Sequence, residues 1–105
     1  MARTRLTPER FEQVAARFKA FGEPARLRIL YALRAGERTV GELCDATGLS
    51  QANLSRHLHY MLALGLVARR KQGVFVRYSL AGPGVLRLCD VVCGQLEREA
   101  RASLR

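Results

Sequence analysis

Two predicted helices joined by one tight turn constrain this chain more than any other feature of its sequence. Thr39 and Glu42 have the spacing of a capping box, in which each side chain accepts a hydrogen bond from the other residue's backbone amide. Gly48 then supplies a residue that tolerates a positive φ, and Ser50 caps a new helix that ends near Leu64. Two helices joined by so short a turn are predicted to form a helix-turn-helix.

The second helix of this pair is predicted to have one buried and one polar side. Leu54, Leu58 and Met61 recur at helical spacing and indicate the buried stripe. The residues on the other side or at the leading end are Gln51, Asn53, Ser55, Arg56 and His59. Their amide, hydroxyl and guanidinium groups can pair with base edges, so we expect them to contact the major groove of DNA and adjacent phosphates.

A basic β-hairpin is predicted directly after the Gly65 break. Its strands cover residues 66–70 and 74–80 around a turn at 71–73. The residues expected to alternate onto one face of the second strand are Val74, Val76, Tyr78 and Leu80. The basic residues of the hairpin are Arg69, Arg70, Lys71 and Arg77. A basic hairpin that follows a DNA-contacting helix is typical of a wing. These side chains are expected to bind phosphates or to place an arginine in the minor groove.

Helices are also predicted on both sides of this unit. Pro8 and Pro24 mark the starts of the first and second helices, and the last helix is predicted from Val85 to about Ala102. The predicted fold is therefore mainly α with a small β-hairpin wing, in the order α-α-α-α-β-β-α. A chain of 105 residues favours one winged helix-turn-helix domain over residues 1–105.

The charge of the chain favours a polyanionic partner. The formal net charge is +9, and sixteen of the 18 basic residues are arginine. No apolar run reaches the roughly 20 residues that span a bilayer, and no signal-peptide core opens the chain, so a cytoplasmic protein without a membrane partner is expected. The sequence has no glycine-rich phosphate loop or catalytic cysteine signature, which argues against an enzyme. A non-specific nucleic-acid coat protein and a protein-interaction module remain as competing classes.

Three cysteines are the candidates for a chemical sensor. Cys89 and Cys93 are spaced i, i+4 and share one face of the last helix, where a soft ion can use both sulfurs. Cys44 lies in the first helix of the helix-turn-helix, where it can also serve as a small packing residue. His57 and His59 point in different directions on their helix, so a metal pair is not expected there.

The order of elements and several local strings resemble the ArsR/SmtB family of bacterial winged-helix repressors, over about residues 18–96. The strings are Phe21-Gly22-Glu23-Pro24-Ala25-Arg26-Leu27-Arg28-Ile29-Leu30, Glu42-Leu43-Cys44, Leu49-Ser50-Gln51-Ala52-Asn53-Leu54-Ser55-Arg56-His57-Leu58, Gly65-Leu66-Val67 and Tyr78-Ser79-Leu80. The resemblance implies a homodimer built on the first and last helices that binds an inverted-repeat operator in double-stranded DNA. The residues expected in that interface are Phe11, Val14, Phe18, Val85, Leu88, Val92 and Leu96.

The resemblance also implies where an inducer would bind. Cys44 matches the first cysteine of the family's Glu-Leu-Cys-x-Cys arsenic motif, but Ala46 stands at the second cysteine position. The family's last-helix Asp-x-His site for zinc-like ions is not matched either, because Asp90 is followed by Val91 and Val92. Sensing of zinc, nickel or cobalt is therefore not expected.

Two sensing hypotheses and one structural alternative follow for the cysteines. In the first, Cys44, Cys89 and Cys93 bind a trivalent metalloid, As(III) or Sb(III), or a soft metal ion such as cadmium or lead, and the repressor leaves its operator. In the second, Cys44 forms a reversible disulfide or polysulfide link with Cys89 or Cys93. In the third, the cysteines only pack. DNA binding itself is expected to require no cofactor.

Overall fold

The computed structural model describes residues 5–104. Residues 1–4 and residue 105 lie outside the described part, and with them the chain start at which no signal-peptide core is expected. The elements are α1 (Pro8–Phe21), α2 (Pro24–Ala32), a 3-10 turn (Leu33–Ala35), β1 (Arg38–Thr39), α3 (Val40–Thr47), α4 (Gln51–Ala63), β2 (Val67–Gln72), β3 (Phe75–Leu80) and α5 (Arg87–Ser103). The predicted winged helix-turn-helix, mainly α with a small β-hairpin, is confirmed, and the short strand β1 is an addition to it.

Local hydrogen bonds place the helix-turn-helix where the sequence predicts it. The Thr39 hydroxyl accepts from the Glu42 amide at 3.2 Å, and the Glu42 carboxylate accepts from the Thr39 amide at 2.8 Å. Gly48 ends α3 with φ of 75°, a conformation that disfavours residues with a Cβ. The Ser50 hydroxyl then accepts from the Asn53 amide and starts α4. These caps satisfy amides that would otherwise lack partners at the helix starts.

The core lies between α2, the helix-turn-helix and the wing. Its fully buried members include Ile29 and Leu30 of α2, Leu43 of α3, and Leu54, Leu58 and Met61 of α4. By contrast, α1 contributes only Ala20 to the buried set and α5 contributes none. The first and last helices therefore form an outer layer, and much of their apolar surface remains uncovered within one chain.

The sheet has β3 in its centre, with β1 and β2 antiparallel on either side. Gln72 pairs with Phe75, so the turn consists of Gly73 and Val74 rather than the predicted residues 71–73. The prediction that Val74 belongs to the strand and shares this face is consequently wrong, whereas Val76, Tyr78 and Leu80 do face the core. The physical reason is Gly73, whose φ of +62° permits a two-residue turn.

The last helix begins later than predicted. Residues 81–86 form bends and turns, and α5 starts at Arg87 rather than Val85. Val85, which we expected in the dimer interface, packs against the core of its own chain. The Gly82-Pro83-Gly84 segment explains the delay, because glycine and proline favour turns over a continuous helix.

Candidate nucleic-acid interface and effector site

The polar side of α4 is open to solvent. Gln51, Asn53, Arg56 and His59 are exposed, and Ser55 is half-buried. The Asn53 side-chain oxygen accepts a hydrogen bond of 2.8 Å from the Arg56 guanidinium, which limits the directions in which Arg56 can point. An oriented guanidinium loses less conformational entropy when it binds a base edge or phosphate. Four of the five predicted α4 contacts are therefore exposed, and the fifth is half-buried.

The four basic residues of the wing differ in whether they form ion pairs with acidic side chains. Arg70 forms a bidentate ion pair with Glu37, with both N···O distances at 2.7 Å. Arg77 donates to the Gln72 side chain and lies 3.8 Å from a Glu42 carboxylate oxygen. Within residues 5–104, no ion pair engages the other two, Arg69 and Lys71, and both are exposed.

The two acids explain how Arg70 and Arg77 can lie opposite each other on adjacent strands. Like charges in directly paired positions destabilise a sheet. The hydrogen bond from Arg70 lowers the pKa of Glu37, and hydrogen bonds from Thr39 together with the nearby Arg77 lower the pKa of Glu42. Both carboxylates are therefore charged at neutral pH, where they offset the arginine repulsion and tie the wing to the start of α3.

Arg26 joins the outer helix α1 to α4, the recognition helix, which is predicted to contact the major groove. Its guanidinium donates to the carbonyl oxygens of Ala20 at 2.8 Å and Lys19 at 3.0 Å, at the end of α1. The same group lies 3.5 Å from His57 Nδ1 and 4.5 Å from the centre of the Tyr60 ring, both on α4. Burial, with help from Arg26 and Arg56, lowers the pKa of His57, so its neutral ring can accept this contact.

Two further arginines act on helix ends in a way that the sequence did not reveal. Arg17 donates to the carbonyl oxygen of Leu64 at 2.9 Å, just beyond α4, and Arg38 donates to that of Ala32 at 2.8 Å, at the end of α2. Cations stabilise the negative end of a helix dipole and satisfy its free carbonyls. Part of the arginine excess therefore holds the scaffold together and does not face a polyanion.

An apolar groove of about 360 Å³ lies between α1, α2 and α5. Its lining comprises Phe18, Phe21, Gly22, Leu27, Tyr31, Leu88, Cys89, Val92, Cys93 and Leu96. Both α5 cysteines thus face the groove, as their i, i+4 spacing predicts, and both are free thiols. The Tyr31 hydroxyl lies 3.8 Å from Cys93 Sγ, which links α2 to the thiol helix.

Cys44 does not share this groove. It is half-buried on α3 and packs against the core. Among residues 5–104, no three histidine, cysteine or acidic side chains of one chain are grouped to hold a metal ion. In this structure, one chain therefore does not bring its three sulfurs together.

The surroundings of Cys89 favour its protonated form, and neighbouring contacts join α5 to α2. Burial raises the pKa of Cys89, and the nearby Asp90 and Cys93 add to the effect. Burial and the contact with Cys93 raise the pKa of Tyr31 to about 12, so its phenol keeps its proton. In the 3-10 turn that follows α2, Arg34 forms an ion pair with Asp90 and lies over the Tyr31 ring.

Comparison with known proteins decides the family. The sequence pattern described as "Bacterial regulatory protein, arsR family" matches residues 23–69, which include α2, the helix-turn-helix and the start of the wing. The uncharacterized HTH-type transcriptional regulator Rv0081 of Mycobacterium tuberculosis is 40% identical over 82 residues, covering 77% of this chain and 72% of that protein. The chain belongs to the ArsR family.

Two other similar proteins carry more specific descriptions. A probable mercury resistance operon repressor of Streptomyces lividans is 37% identical over 75 residues, covering 71% of this chain and 58% of the relative. A homodimeric winged helix-turn-helix DNA-binding domain from Mycobacterium bovis, described as a possible ArsR-family transcriptional regulator, superposes with a TM-score of 0.83. It is 32% identical and the match covers 97% of this chain and 95% of that one.

Membership of the ArsR family identifies the broad activity. The protein is a DNA-binding transcriptional repressor and not an enzyme, and its partner is double-stranded DNA. No helix in the described range is long and apolar enough to cross a membrane. The assignment of individual side chains to DNA, inducer or partner subunit remains a prediction.

The ion pairs of the wing lead to a prediction about this ArsR-family protein. Glu37→Gln should free Arg70 to contact phosphate, tighten DNA binding and steepen the dependence of log Kd on log salt by about 1. Fluorescence anisotropy with a labelled duplex over a range of KCl concentrations measures both quantities. Glu12→Gln removes the same charge from the exposed side of α1 and should change the slope little. Equal slopes for all three proteins would mean that Arg70 stays bound to the protein when Glu37 is neutralised.

Proposed function

We propose that this chain acts as a homodimeric repressor that leaves an inverted-repeat operator when a soft, thiophilic metal ion binds Cys89 and Cys93. The observation that carries the proposal is the position of these two thiols, which lie one helical turn apart in the apolar groove of α1, α2 and α5. Soft ions select thiolate ligands over oxygen ligands, and a pair on one helix face can share a single ion.

The homodimer is supported by apolar side chains that one chain leaves exposed on its two outer helices. On α1 they are Phe11, Val14 and Phe18, and on α5 they are Leu88, Val92 and Leu96. Six large exposed apolar side chains on two helices favour burial against another protein surface. The similar Mycobacterium bovis domain is a homodimer. Two copies would present two α4 helices to half-sites about one turn of DNA apart.

The choice of a soft metal ion rests on the number of thiols in the groove. Two sulfurs suffice for an ion of low coordination number such as Hg(II), and one relative is a probable mercury resistance operon repressor. A trivalent metalloid uses three sulfurs, so As(III) or Sb(III) would need Cys44 as well, which does not line the groove. Mercuric and cadmium ions are therefore the first probes, with arsenite as the test of the three-sulfur alternative.

The contacts around the groove supply a physical route from inducer to DNA. An ion bound to Cys93 competes for the sulfur that now contacts Tyr31, and it pulls on the turn of α5 that holds the Arg34–Asp90 ion pair. Since α2 packs against both α3 and α4, a shift of α2 would move the polar side of α4 that is predicted to contact DNA. For release, the ion must bind the DNA-incompetent dimer more tightly than the competent one.

Cysteine substitutions test the proposal. Hg(II) or Cd(II) should weaken operator binding by the reduced protein about 10- to 100-fold. Cys89→Ser and Cys93→Ser should abolish that response, and Cys44→Ser should keep it. Operator anisotropy measures release, while sulfur-to-metal charge-transfer absorbance reports binding directly. Because the pKa of Cys89 is raised, ion binding must displace a proton, and the ion affinity should rise as pH increases.

Two outcomes would contradict the soft-ion proposal in different ways. Release by arsenite that requires Cys44 as well as the α5 pair would establish a three-sulfur site. Release by an organic persulfide that requires Cys44 and only one α5 cysteine would replace ion sensing with a disulfide or polysulfide switch.

A further inference from the structure

The wing ends in two consecutive apolar side chains that project into solvent. Val74 is 92% exposed at the tip of the β2–β3 hairpin, and its neighbour Phe75 is 58% exposed. Val76, the next residue of β3, is already half-buried against the core. The two tip residues therefore contribute little to the hydrophobic stabilisation of the fold.

The turn itself does not require these residues. Gly73 has φ of +62°, and Val74 does not have a positive φ, which is the pattern of a type II′ turn. Such turns need glycine at the first central position, whereas the second commonly carries asparagine, aspartate or serine. A valine there, followed by an exposed phenylalanine, exposes apolar surface without a conformational benefit.

The immediate surroundings of the tip are cationic. Arg69 and Lys71 precede it on β2, are exposed, and form no ion pair within residues 5–104. The wing is also tied to the recognition helix, because the Leu66 amide donates to the Met61 carbonyl oxygen at 3.0 Å. An apolar tip flanked by free cations complements a surface that combines negative charge with an apolar crevice. The minor groove of DNA has this composition, with phosphates on its edges and sugars and base edges inside it.

We propose that Val74 and Phe75 form an apolar wedge that enters the minor groove beside each half-site and partly unstacks one base step. The inference rests on the proposed binding of an operator and adds a determinant of its sequence preference. Apolar side chains inserted in this way kink the duplex toward the major groove. Pyrimidine–purine steps unstack most easily, so the protein should prefer them at the flank even without hydrogen bonds to those bases.

The test compares duplexes and tip variants. The probe is a duplex selected by the wild-type protein from a random library of about 40 base pairs, long enough for two half-sites and their flanks. Val74→Ser, Phe75→Ser and the double variant should bind it about tenfold more weakly and lose the preference for a flanking TA or CA step. Fluorescence of 2-aminopurine at the flank should rise with the wild-type protein only, and end-to-end energy transfer should show less bending with the variants.

Lys71→Gln is the matched control on the same hairpin. It should weaken binding to all duplexes alike and reduce the salt slope by about 1, while the bend and the 2-aminopurine signal remain. Tip variants with wild-type affinity, bend and flank preference would overturn the wedge. If the wild-type protein selects no duplex at all, the proposed operator binding fails instead, so the two failures are distinguishable.

Discussion

Replacing Val92 and Leu96 together by glutamine is expected to convert the repressor from dimers to monomers at micromolar concentration. Both side chains line the groove beside Phe18, and Leu96 is 58% exposed in the single chain. Burial of such a side chain contributes about 1.5–3 kcal/mol, and a twofold interface loses each contact in both copies. The dimer dissociation constant should therefore rise about a thousandfold or more. Sedimentation velocity over a dilution series measures it directly.

Monomers should also lose most of their operator affinity, because one protomer reaches only one half-site. The double variant Arg98→Gln/Arg101→Gln is a suitable control, since it places the same side chains on an exposed part of α5 that does not line the groove. That control should remain dimeric, although its lower charge weakens DNA binding slightly. Unchanged sedimentation of the Val92/Leu96 variant would show that the dimer forms elsewhere.

The sequence was most informative where local chemistry determines the structure. The capping box of Thr39 and Glu42 and the turn at Gly48 depend on neighbouring residues only, and the structure has them as predicted. The buried stripe of α4 follows from helical spacing in the same way. The i, i+4 cysteine pair also depends on a single helix, so its shared face could be predicted before its surroundings were known.

Features that depend on distant parts of the chain could not be predicted in this way. The strand β1 has only two residues and exists because Arg38 and Thr39 pair with β3. The ion pair of Arg70 with Glu37 joins residues 33 apart, and nothing in the local pattern distinguishes Arg70 from Arg69. The same limit applies to Cys44, whose distance from α5 depends on the packing of α3 against α2 and not on spacing along the chain.

Arg26 also makes contacts that depend on distant parts of the chain. Among the helix residues that are not fully buried, we expect its replacement by alanine, Arg26→Ala, to lower stability most. The change removes two hydrogen bonds to the end of α1, the contact with His57 and the stacking on Tyr60. Hydrogen bonds that involve a charged group make a net contribution of about 1.5–3 kcal/mol each. Since the guanidinium is only half-buried, we expect a net loss of about 2–4 kcal/mol in the free energy of unfolding, measured by urea denaturation.

Two variants separate the geometry of this contact from its charge. Arg28→Ala removes an exposed arginine from the same helix and should change stability by no more than about 0.5 kcal/mol. Arg26→Lys keeps the charge but lacks the planar fork that reaches Ala20, Lys19 and Tyr60 together, so it should recover less than half of the loss. Full recovery by lysine would mean that Arg26 acts through charge at the end of α1. In that case the link between the outer helix and the recognition helix would have to run through the core contacts of α2 instead.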